Sequence, residues 1–119
     1  MFLEQLLSCR GVSGDEGEVR RLLIENLKGI ADEVTVDALG NVIASVKGTR
    51  TDKTFMLAAH MDEVGLIVTG ITDNGLIKFQ NIGAVDPRVL VSKRVLVGED
   101  KVPGVIGAKA IHLQTRAEF

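Results

Sequence analysis

Tryptophan and tyrosine are absent, and only four phenylalanines occur in 119 residues. Any core must therefore be aliphatic, built from Val, Ile, Leu and Ala. Cysteine is nearly absent too. A single Cys9 excludes an internal disulfide, and with only two histidines it excludes a Cys-rich zinc module. One unpaired cysteine suits a reducing, cytoplasmic setting. Positive charge is not in excess: 14 Lys and Arg stand against 16 Asp and Glu, for a net charge of −2. The chain thus lacks the basic field that nucleic acid or an anionic membrane would require. No apolar run approaches the ~20 residues of a membrane helix. The start, Met1 to Leu7, has no basic leader and carries Glu4 inside its apolar run, so it does not read as a signal peptide. The hydrophobic fraction of 45% and charged fraction of 25% are those of a soluble globular domain.

What is present divides into two styles. Leu3, Leu6 and Leu7 are spaced for one face of a short helix. Gly11-Val12-Ser13-Gly14 breaks it, and Ser13 with Glu16 three residues on has the pattern of a capping box. Val19, Leu22, Leu23, Leu27 and Ile30 then recur at helical period, predicting a helix over about 15–28 with Gly29 as a left-handed terminator. From Glu33 the period becomes that of a strand. Val34 and Val36 alternate with polar neighbours, Asp37 to Asn41 supplies turn chemistry, and Val42 to Val46 returns. Lys47 to Lys53 reads as an exposed loop. Phe55-Met56-Leu57-Ala58-Ala59 is continuously apolar and predicts a strand buried on both faces, as in a central α/β sheet. Beyond Gly65 the pattern is all-β. Leu66–Ile71 and Leu76–Gln80 flank Asn74-Gly75, a hairpin signal. Val95–Val97 and Val102–Ile106 flank a second turn, with Pro103 implying an edge. The fold class expected is α/β: two helices plus about three strands over 1–64, followed by a β-rich part over 65–119. Neither half completes a sheet, so open edges predict self-association into a homo-oligomer.

The chemistry-bearing segment is Ala58-Ala59-His60-Met61-Asp62-Glu63-Val64-Gly65. His60 follows the apolar run, and in open α/β sheets functional groups gather at the carboxyl ends of strands. In extended backbone His60 and Asp62 share a side while Glu63 faces away. Asp62 could then hold one imidazole nitrogen and leave the other for a metal. By itself the spacing is more often that of a surface or satisfied histidine, with Asp62-Glu63 a solvated acidic pair.

Several ordered stretches add to it: Gly11-Val12-Ser13-Gly14-Asp15-Glu16, Asp37-Ala38-Leu39-Gly40-Asn41-Val42, Ala59 to Gly65 with Leu66-Ile67-Val68, and Pro103-Gly104-Val105-Ile106-Gly107-Ala108-Lys109. Together they resemble the tetrahedral and glutamyl aminopeptidases, two-metal peptidases whose relatives have often been labelled cellulases or endoglucanases. The resemblance implies an α/β catalytic domain with a β-rich domain inserted after the His-x-Asp segment. It implies His60 as a metal ligand and Asp62 as the catalytic-site carboxylate that orients it. It further implies two divalent ions, zinc or cobalt, peptide substrates cleaved at their N-terminal residue, and assembly into large hollow particles. Full members are about three times longer, so the expectation is the N-terminal third of such an enzyme. The bridging aspartate, the general-base glutamate and the other ligands would then lie beyond residue 119. One histidine cannot hold a metal pair, since such zinc sites take about three protein ligands per ion. The chain alone is expected to bind no metal stably and to be inactive.

His112 matches a family histidine of the inserted domain, which implies a substrate-facing role; the plainer reading is a packed or surface histidine. Lys93, Arg94 and Arg88 read as a solvated guard of an edge strand, and Cys9 has no catalytic assignment. Two other functions remain open at this point. One is a non-enzymatic self-association module. The other is a glycoside hydrolase, for which Asp62 and Glu63 would have to face each other across a substrate bond.

Overall fold

The computed structural model describes residues 1–50 and 52–115. They fall into two compact units, Met1–Gly83 and Ala84–Phe119. Among the described residues no helix is long and apolar enough to cross a membrane.

The first unit opens with helix α1 (Phe2–Ser8) and helix α2 (Gly17–Leu27). The apolar stripe of α2 explains its packing. Val19 is buried, at 6% exposure, and Leu22, Leu23 and Leu27 are half-buried. Ile30 lies past the helix end and is exposed. Gly29 adopts φ +82°, the left-handed geometry expected of a terminator. The helix starts later than the sequence pattern predicted, because the capping box does not form. Glu16 occupies the N-cap and its carboxylate accepts from the Gly14 N–H at 2.6 Å. The Ser13 hydroxyl goes elsewhere.

Strands β1 (Glu33–Val36) and β2 (Val42–Ser45) pair antiparallel, with Val36 opposite Val42. Their turn is closed by Asp37, whose carboxylate accepts from the Leu39 and Asn41 N–H groups at 2.9 Å and from the Asn41 side chain at 2.7 Å. These bonds, the Asn41 side chain first, hold the Asp37 carboxyl below its ordinary value. Helix α2 packs on β2, and Arg20 donates from Nε to the Gly40 carbonyl at 2.9 Å. Strands β3 (Gly65–Ile71) and β4 (Ile77–Ile82) form the second hairpin, with a bulge between Val68 and Gly70. Its turn carries Thr72, Asn74 and Gly75, the last at φ +82°.

The apolar run Phe55–Ala59 corrects the strand expectation. It belongs to no strand, and Phe55, Met56 and Leu57 are 88%, 86% and 99% exposed. A strand buried on both faces needs a hydrogen-bonding partner along its edge. Each described strand of this unit is paired only within its own hairpin. The Lys47–Lys53 loop forms as expected where it is described; Thr51 within it lies outside the described residues. The change of composition near Val64–Gly65 coincides with entry into β3, inside the first compact unit.

The second unit contains a 3-10 turn (Pro87–Val89), the antiparallel pair β5 (Arg94–Val97) and β6 (Val102–Val105), and a 3-10 turn (Ile111–Leu113). Ile106 is its buried anchor at 7% exposure, with main-chain bonds from Ser92 N–H to its carbonyl (2.9 Å) and from its N–H to the Lys93 carbonyl (3.0 Å). Asp86 caps the first turn through the Arg88 N–H and pairs with the Arg88 guanidinium at 2.6 Å. Arg88 is therefore engaged locally with Asp86.

Candidate functional site

His60 and Asp62 lie in the stretch that leads into β3, and what fixes them is the loop between the two helices. The Glu63 N–H donates to the Gly11 carbonyl at 2.7 Å, and Val12 and Glu63 form an isolated parallel bridge. Gly65 makes this approach possible, since a Cβ there would overlap the Val12 side chain. Gly11 is tight in the same way, its missing Cβ falling 2.8 Å from a Val19 methyl. The loop is thereby pinned between the buried face of α2 and the start of β3.

Within that frame the two oxygens of Asp62 have separate partners. Oδ1 lies 3.1 Å from His60 Nδ1, and the Asp62 carbonyl lies at the same distance from that nitrogen. Oδ2 accepts a hydrogen bond from the Ser13 hydroxyl. The Ser13 bond is the leading reason the Asp62 carboxyl sits below its ordinary value; desolvation opposes it, and the His60 bond adds to it. Both neighbours of Nδ1 are acceptors, so the neutral tautomer that satisfies them donates from Nδ1 and leaves Nε2 as the lone-pair nitrogen. The ring is 86% exposed, so Nε2 is open to an incoming group.

Residues 60 and 61 border two shallow hollows. One, of about 240 Å³, is lined by Leu6, Leu7, Cys9, Gly11, Val19 and Leu23 together with Glu63. The other, of about 150 Å³, is lined by Glu16, Leu39, Gly40 and Asn41 together with Asp62. The adjacent carboxylates thus line different hollows, and a pair facing one another across a sugar linkage is not formed by them. Cys9 is occupied in its own helix, its thiol donating to the Gln5 carbonyl at 3.2 Å.

The donor set tests how far these residues suit a metal centre. Among the described residues no group of three or more His, Cys, Asp and Glu side chains converges on one point. Among the described residues His60 is the imidazole that a carboxylate orients, and the described side chains do not make up a complete pair of metal sites. His112 belongs to the second unit, where it is exposed in the turn Ile111–Leu113. Sequence reasoning paired His60 with Asp62 and missed Ser13, which the capping-box pattern had assigned to the helix.

The family described as M42 glutamyl aminopeptidase matches residues 40–119. The chain is 42% identical over 107 residues to a putative aminopeptidase of Acetivibrio thermocellus, covering 90% of this chain and 31% of that protein. A crystal structure titled endoglucanase, from Thermotoga maritima, superposes with a TM-score of 0.86 at 42% identity, covering 92% of this chain and 34% of that one. The TET1 peptidase of Pyrococcus horikoshii, described as assembling into a tetrahedron or a large octahedral shell, gives a TM-score of 0.78 at 36% identity, covering 98% and 36%. This chain belongs to the M42 glutamyl aminopeptidase family. It aligns with the N-terminal part of the family's aminopeptidases and spans about a third of the length of the relatives it matches. Aminopeptidases of this family are in general metal-dependent.

Proposed function

We propose that this chain supplies the histidine-bearing third of a two-metal aminopeptidase that removes N-terminal residues from peptides. His60 is the metal ligand through Nε2, and Asp62 is the carboxylate that holds it from behind. Residues 1–64 belong to the catalytic α/β domain and 65–119 to the inserted β-rich domain, where His112 faces substrate. Two divalent ions, zinc or cobalt, would supply an activated water when bound. The residues of this chain supply orientation: an imidazole in a fixed tautomer, held by a charged acceptor, on an open face. The assembly is a homo-oligomer, as the TET1 relative's shells support, and it works in the cytoplasm. The chain alone, with one donor, is inactive and holds no metal stably.

The observation that carries this reading is the 3.1 Å contact between His60 Nδ1 and Asp62 Oδ1, with the opposite ring edge exposed. The test is a chimera in which residues 1–119 replace the corresponding segment of a full-length family aminopeptidase. Hydrolysis of aminoacyl-anilides and metal content per subunit are then measured for the chimera and its His60→Ala variant. The chimera is expected to be active with two metals per subunit, and the variant to lose both activity and metal. A folded His60→Ala chimera that keeps its full metal content ends the assignment.

A further inference from the structure

Ser13 stands 49 positions from Asp62 in the sequence, yet its hydroxyl is spent on that carboxylate and not on the helix beside it. Glu16 takes over the helix entry by accepting from the Gly14 N–H, which leaves the Ser13 side chain free to reach across. Its proton goes to Oδ2 while Oδ1 faces the His60 ring. A carboxylate held through one oxygen can still swing about its two side-chain torsions. Held through both, its plane is set, and with it the direction from which Nδ1 is engaged. The loop carrying Ser13 is itself fixed by the Gly11–Glu63 main-chain bond and by Val12 seated over Gly65.

We propose that Ser13 is a positioning residue: acting through Asp62, it locks His60 in the Nδ1-protonated form with Nε2 turned outward. This rests on the assignment of His60 and Asp62 made above. The role differs from ordinary loop structure because its effect is read on the imidazole of another residue. It requires a hydroxyl, which threonine supplies and alanine does not.

The experiment uses the 119-residue chain labelled with ¹⁵N-histidine, with His112 as internal reference. Long-range ¹H–¹⁵N spectra are recorded about two pH units above the ordinary imidazole value of about 6.5, where the ring is neutral and its tautomer is read directly. His60 is expected to be mostly Nδ1-protonated in the parent chain. Ser13→Ala should shift it toward the mixture seen for His112, Ser13→Thr should restore it, and the Glu63 amide should stay protected from exchange in both variants. An unchanged His60 tautomer in Ser13→Ala, together with a changed one in Asp62→Ala, overturns the role of Ser13 and leaves Asp62 standing. A parent chain without the Nδ1 preference removes the Asp62–His60 assignment itself. Loss of Glu63 protection in Ser13→Ala shows the residue to be loop structure, and overturns the proposal too.

Discussion

The Asp37–Asn41 turn and the Phe55–Ala59 run belong to the same compact unit and were equally conspicuous in the sequence. The first closes on itself: one carboxylate gathers two backbone N–H groups and a side-chain amide within four positions. The second has the apolar content of a core strand and none of its partners, and it lies exposed. Local hydrogen bonding is satisfied by residues a few positions away, whereas burial of a central strand depends on two other strands coming alongside.

That contrast can be tested at its strongest point, the anchor that ends the unpaired stretch. Gly65→Val places a side chain where Val12 sits, and overpacking of this kind costs about 1–3 kcal/mol. Urea unfolding followed by circular dichroism should show the lower midpoint, with loss of Glu63 amide protection. A midpoint equal to the parent's would mean that the loop does not depend on this close approach.

A smaller effect is expected at the self-contained turn. The Asp37 carboxyl is held below its ordinary value of 3.8 by bonds that exist only when the turn is folded. Its contribution is therefore fully present above the unfolded value and is lost as pH falls through the depressed folded value. Amide exchange at Leu39 and Asn41 should accelerate in acid relative to the rest of β1 and β2. Asp37→Asn should remove that pH dependence.

The smallest effect belongs to the exposed run. Leu57→Lys at a fully exposed position should change the stability of this chain by no more than about 0.5 kcal/mol. A loss of several kcal/mol, read from the same urea midpoints, would mean that the run is packed in solution and would erase the contrast.

The legible parts of the fold were those governed by short range. Both helices, the three hairpins and the left-handed Gly29 follow from apolar period and turn chemistry within windows of about ten residues. The site was half legible. His60 and Asp62 are two positions apart, so their spacing and side-chain chemistry suffice to pair them. Ser13 was not legible, because its nearest sequence partner, Glu16, offered a plausible local role and the actual partner is far along the chain. The failure at Phe55–Ala59 has the same origin. Composition reports what a segment would do if partners were present, and it is silent on whether they are.

The Gly11–Glu63 bond has a consequence for timing. Joining chain positions some fifty residues apart costs roughly 2 kcal/mol of closure entropy beyond that of a tight turn, while each hairpin closes within microseconds. The loop that steadies His60 should thus be the last element of its unit to assemble and the first to part on warming.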